Sequence, residues 1–339
     1  MVFKRLLGSI GIGGPTVDTV LAPGAVLPGG HLAGEVRLKG GKAAFDVEHI
    51  TLELVARVEA ETSDGEHEGV VIFDRFNVGG GFPLGEGEER SVPFAVALPW
   101  ETPVTELYGQ ALGIVLGVRT ELGVAGARDK GDLDPLTVGP LPVQEAVLEA
   151  LGQLGFGFKS ADLEYGRIGG TGQQLPFYQE IELTPTPQYA HVMRQIEVTF
   201  LANPGGMEVV LEADKPRGFF SSGHDALTRF TVSHAGVEGR DWTVEVDGWM
   251  RQLAAGRGAR TVPAPHGPGD AYGSHAHKAE HGQVRHGSGP GPGMGTVVAA
   301  GAAGLAVGVV GGMVAAEVVD EVGDFFESDD EESETDEEA

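Results

Sequence analysis

The stretch HITLELVARVEA, residues 49–60, decides the fold. Ile50, Leu52, Leu54, Ala56 and Val58 fall on one side of an extended chain; Thr51, Glu53, Arg57 and Glu59 fall on the other, and Val55 breaks the alternation. Successive side chains of a strand point to opposite faces, so a period of two marks a strand with one face on a core and a polar face outward. The pattern recurs in Val92, Phe94, Val96 and Leu98, in Ile114, Leu116, Val118 and Leu122, and in Ile196, Val198 and Phe200. It is read again in Phe230 and Val232 and in Trp242, Val244 and Val246. Turn formers separate these runs: Pro23-Gly24, Pro28-Gly29-Gly30, Gly79-Gly80-Gly81 and Asn203-Pro204-Gly205-Gly206. Many short one-sided strands with few helices imply an all-β fold of antiparallel β-sandwich domains.

One segment departs from this period. Val143, Ala146, Val147, Ala150, Leu151 and Leu154 recur at helical spacing, which predicts a short helix near 142–154. Before it runs Arg128-Asp129-Lys130-Gly131-Asp132-Leu133-Asp134-Pro135, charged and turn-forming, the expected join between two sandwiches. The expected organisation is a first sandwich over 1–130 and a second over 131–255. A Gly/Pro/His-rich linker without hydrophobic period follows over 256–293, then an uncharged Gly/Ala/Val segment over 294–316 and an acidic tail over 317–339. Residues 1–14 lack a continuous apolar run and a small-residue cleavage site, so they are read as part of the first domain rather than as a signal peptide.

The formal net charge is −27 and there is no cysteine. The absence of cysteine removes disulfides, thiolate metal sites and a thiol nucleophile, and it suits a reducing cytoplasm. So acidic a surface repels phosphate backbones, which argues against nucleic acid and toward protein partners. The tail holds thirteen acidic residues and no basic one; it is either a solvating end or an electrostatic bait for a basic protein.

Taken in order, several segments resemble a known family. Phe3-Lys4-Arg5-Leu6-Leu7 with Ile10-Gly11-Ile12-Gly13 and Val17-Asp18-Thr19-Val20-Leu21 resembles its opening. Asp129-Lys130-Gly131-Asp132 with Pro140-Leu141-Pro142 resembles its interdomain segment; Leu175-Pro176-Phe177-Tyr178-Gln179-Glu180-Ile181-Glu182-Leu183 and Arg229-Phe230-Thr231-Val232-Ser233-His234 resemble its second domain. The family is the bacterial sporulation-control stage-zero protein M family, and the resemblance covers about residues 1–253. It implies two arrestin-like sandwiches in tandem and a cytoplasmic, adaptor-like regulator of sporulation or development that works by protein–protein interaction. It implies no catalytic residues and no cofactor.

The search for chemistry agrees with a non-enzymatic reading. G-x-S-x-G and H-E-x-x-H are both absent. Gly152 to Gly157 with Lys159-Ser160 imitates a P-loop, but Phe158 separates glycine from lysine and a helical pattern precedes it. Arg128, Asp129, Lys130, Asp132 and Asp134 form a candidate interdomain polar cluster, the alternative being a solvated turn. His275, His277 and His281 are the candidate metal ligands, weighed against a merely hydrophilic linker; they make a metal- or ligand-binding module the rival function. Phe219 and Phe220, in a Gly/Ser-rich setting, are a candidate docking loop or a packed pair.

The uncharged segment 294–316 would span about 34 Å as a helix at 1.5 Å per residue. Gly304, Gly308 and Gly312 would line one face, as in a glycine zipper. Its hydropathy is weak, so three readings stay open: a membrane-inserting or self-associating helix, a peripheral membrane contact, and a disordered segment.

Overall fold

In the computed structural model the described residues are 14–62, 65–125, 130–213 and 228–258. The framework is all-β, in two units. In the first unit, β1 (Thr16–Leu21), β2 (His31–Lys39) and β6 (Glu89–Ala97) form an antiparallel sheet in the order β1-β2-β6. Facing it are β3 (Phe45–Thr62), β4 (Gly65–Gly79), β5 (Phe82–Leu84), β9 (Leu116–Val124) and β10 (Lys130–Pro135), with β3 central between β4 and β9. A small hairpin, β7 (Glu106–Leu107) and β8 (Gln110–Ala111), turns at Tyr108-Gly109, both with positive φ. Ile50, Leu52, Leu54, Ala56 and Val58 all enter the core between these sheets. Val55, the residue out of step, is fully buried on the other side with Val70, Val115 and Leu133.

The second unit begins with α1 (Pro142–Gln153), followed by β11 (Gly157–Tyr165), β12 (Phe177–Thr184), β13 (Ile196–Asn203), β14 (Gly206–Ala213) and β15 (Thr228–Val232), and ends with α2 (Trp242–Gly258). Pro142 starts α1 with a preset φ, and the Gln144 side chain accepts the Leu141 N–H at 2.8 Å. Gly155, at φ +92°, takes the left-handed position that ends the helix. The five strands are antiparallel neighbours, and the layer facing them is α1 with α2, where Val147, Leu151, Val246, Trp249 and Met250 bury against Ile181, Ile196, Val209 and Leu211. β11 also pairs in parallel with β3 at Glu164↔Glu59, which joins both units into one 10-stranded sheet.

Two expectations are corrected. The strand expected at Trp242, Val244 and Val246 is the start of α2. Val244 is 68% exposed, while Trp242, Val246, Trp249, Met250 and Leu253 are buried at helical intervals. Asp241 caps this helix, its side chain accepting the Val244 N–H at 3.1 Å. The boundary at 130/131 also moves. β10 pairs with β9 from Lys130↔Leu122 to Pro135↔Gly117, and Leu136 and Val138 belong to the first core. The second core is entered only at Leu141. Among the described residues no helix is long and apolar enough to cross a membrane; the segment 294–316 lies outside them.

Candidate functional site

The densest polar construction lies where the units meet. The loop after β6 carries Trp100, Glu101 and Val104, the last buried in the first core, and each grips the second unit. Glu101 accepts the Gln174 N–H through both carboxylate oxygens, at 2.9 and 2.8 Å, and the Leu175 N–H at 2.9 Å. Gln179 on β12 binds Val104 like an added strand residue: its Oε1 accepts the Val104 N–H at 2.9 Å and its Nε2 donates to the Val104 carbonyl at 2.8 Å. Trp100 stacks on His234 at 5.1 Å, and His234 Nε2 donates to the Asn203 carbonyl at 2.8 Å. Gly29, at φ +71°, lies so close to the Trp100 indole that any β-carbon would strike it, so this glycine sets the angle of the tryptophan. Phe73 of β4 meets Phe177 of β12 edge-on at 5.5 Å. A void of about 10 Å³ beside Trp100, Glu101 and Gln179 leaves space for one water at most.

On the outer face of the common sheet, carboxylates line the seam itself. Glu59 of β3 stands opposite Glu164 of β11, and Asp162 of β11 opposite Glu180 of β12. The carboxylates of Asp162, Glu164 and Glu180 lie within 4.8 Å of one another. Asp162 Oδ1 is buried without a hydrogen-bond partner. Burial, reinforced by Glu180, Glu59, Glu164 and Glu182, pushes the Asp162 pKa up to about 8. Calcium takes six to eight oxygens and magnesium an octahedron; a flat sheet face brings no loop carbonyls to complete either shell. Glu182, one step along β12, behaves differently: burial pushes it up, but the hydrogen bonds of Lys159 and Ser160 and the charge of Lys159 bring it below the usual carboxylate range. Lys159 and Ser160, the residues that imitate a P-loop, both end on Glu182 Oε2, at 2.6 and 2.7 Å.

The expected interdomain cluster sits elsewhere. Asp132 and Asp134 lie on β10 and face β1 within the first unit. Asp132 Oδ2 accepts the Thr19 N–H at 2.6 Å, beside a 2.6 Å contact between the Thr19 and Thr120 hydroxyls. Burial raises both aspartates. The charges of Asp132 and Asp18 carry Asp134 further, to about 7. Hydrogen bonding of β10 to β9 places Asp132 and Asp134 within the first unit. Lys130 opens β10, while Arg128 and Asp129 lie outside the described residues. So do Phe219 and Phe220, His275, His277 and His281, and Gly304, Gly308 and Gly312.

The site residues that sequence reading passed over are Trp100, Glu101, Gln179, Asp162 and Glu164. Gln179 and Glu180 stand inside the 175–183 segment that carries the family resemblance, and that was the available signal.

Two β-rich units that share one sheet and meet through the loop after β6 define the class, a tandem β-sheet protein. The family described as SpoOM protein matches residues 3–217, and the chain belongs to that family. It is 38% identical over 214 residues to the sporulation-control protein spo0M of Bacillus subtilis (strain 168), a match covering 63% of this chain and 80% of the relative. The crystal structure of Spo0M, sporulation control protein, from Bacillus subtilis superposes with a TM-score of 0.63 at 32% identity, covering 73% of this chain and all of that one.

Proposed function

We propose that the chain is a non-enzymatic regulatory adaptor that acts in the control of sporulation or development through contacts with other proteins in the cytoplasm. The observation that carries this reading is kinship with a sporulation-control protein across 80% of that relative's length. The construction of the junction supports it. The loop after β6 and the β3–β11 pairing tie the two units into one sheet framework, an arrangement that suits a scaffold for protein partners. A net charge of −27 favours basic protein surfaces over nucleic acid.

The test is complementation. A Bacillus subtilis strain lacking spo0M, expressing this chain, is expected to recover heat-resistant spores, and affinity capture from that strain is expected to recover the same proteins as the native regulator. A stably expressed chain that restores no spores would overturn the reading.

A further inference from the structure

The chain enters β1 at Thr16, and the far end of that strand opens on a groove of about 290 Å³ bounded by the loop after β1, by β7 and by the end of β10. Its apolar lining comes from Leu21, Val26, Leu32 and Leu136. Glu106 of β7 is the one ionisable residue in the lining. It is half-buried, and among the described residues its carboxylate has neither a cation nor a hydrogen-bond donor. A carboxylate partly withdrawn from water gains more from an opposite charge than an exposed one does. The occupant that fits is therefore an apolar segment carrying a cation.

The chain holds such a segment. Residues 1–13 lie outside the described residues and run directly toward β1. Lys4 and Arg5 are the only lysine and arginine before Arg37, and Phe3, Leu6 and Leu7 flank them. Residues from 3 onward fall within the family match. Distance permits a fold-back. The five steps from Thr16 to Leu21 cover about 17 Å at ~3.4 Å per residue, and the nine steps from Leu7 to Thr16 reach up to about 30 Å. The surplus allows a reversal of direction, and Gly11, Gly13 and Gly14 supply the backbone freedom for one.

We propose that residues 3–7 fold back along β1 and fill this groove in the same molecule, with Leu6 and Leu7 against its apolar lining and Lys4 or Arg5 paired with Glu106. The segment is then a strap over the open end of the first unit, and the groove is an interaction surface occupied by a stretch of its own chain.

The absence of native cysteine makes the test direct. Ala25→Cys, at an exposed position in the lining of the groove, carries a benzophenone at that position alone in the full chain. Irradiation of dilute protein is expected to cross-link the label to residues 3–7 within one molecule, as located by mass spectrometry. Glu106→Gln is expected to lower the yield about fivefold, the effect of losing a partly exposed ion pair. Lys4→Glu together with Arg5→Glu is expected to lower it at least as far, and these positions precede β1, so this variant serves if Glu106→Gln disturbs the first unit. Adding Glu106→Lys to that pair is expected to restore the yield. Absence of cross-links to residues 1–13 overturns the proposal, as does a yield unmoved by Lys4→Glu with Arg5→Glu. Cross-links between two molecules that rise with protein concentration overturn it in favour of a second copy. Capture of an added synthetic leucine–arginine peptide in place of residues 3–7 overturns it in favour of a separate basic partner.

Discussion

Glu53 offers the sharpest test of how the first unit is held together. It sits at the centre of β3 with no exposed surface, between Arg75 of β4 and Arg119 of β9, each directly opposite it in register. Arg75 Nε donates to Glu53 Oε1 at 2.6 Å, and Arg119 pairs with Oε2. The two arginines are not equivalent: the Arg75 side chain is 60% exposed and that of Arg119 is 12% exposed. Charges about 4 Å apart at an effective dielectric of about 20 attract by about 4 kcal/mol, and removing one partner of a buried pair costs ~3–5 kcal/mol. Arg119→Met should therefore cost about 3 kcal/mol, since Arg75 still neutralises part of the stranded carboxylate. Arg75→Met should cost about 1 kcal/mol, because water already screens that pair. Replacing the buried pair together, Glu53→Met with Arg119→Met, should return to within about 1 kcal/mol of wild type, as apolar substitutes avoid the desolvation penalty. Urea unfolding followed by circular dichroism gives the coupling energy from the double-mutant cycle. A single Arg119→Met that costs under about 1 kcal/mol, or a double substitution that costs as much as the single, would refute the assignment of Glu53 as a buried ion whose cost is met mainly by Arg119.

Three further outcomes follow from the same structure. Trp249 stacks on Phe230 at 4.7 Å and is 7% exposed, so Trp249→Ala should cost ~3–5 kcal/mol and lower the melting temperature of the second unit, read by calorimetry. Glu101→Ala removes three charge-assisted bonds, and the backbone amides of Gln174 and Leu175 should then exchange with deuterium at least about tenfold faster, with little change in the β9 amides. Asp134 is raised from 3.8 to about 7, so its contribution to the stability of the first unit is full below about pH 4 and is lost as pH rises toward 7; Asp134→Asn should flatten the melting temperature between about pH 4 and 7.

The fold was legible wherever a strand covers a core on one side. Residues 50–58 read as one apolar row because β3 packs one face on the first core, and the helix near 142–154 declared itself by its period. The failure at 242–246 has a plain cause. Trp242, Val244 and Val246 alternate over five residues, too short a window to separate a period of two from 3.6, and the decisive positions Trp249, Met250 and Leu253 lie beyond it. The join was misplaced for a different reason. Asp132, Asp134 and Pro135 have turn composition, yet β10 forms because β9 offers a free edge, and tertiary pairing overrides local preference.

The candidate site was less legible because burial of charge leaves no periodic mark. Glu53, Glu59, Asp162 and Glu180 stand at the polar positions of alternating strands, and read along the chain each is a solvated carboxylate. Three circumstances that exist only across strands make them something else. Glu53 is flanked by arginines from two neighbours, so it is paired on both sides at no exposure. Asp162 is flanked by carboxylates from its own strand and two others, so its burial favours a proton. Glu180 shares a strand with Gln179, which points to the opposite face and ties Val104. β12 thus carries the clamp on one side and the carboxylates of the seam on the other, so one strand brings both contacts to the place where the units meet.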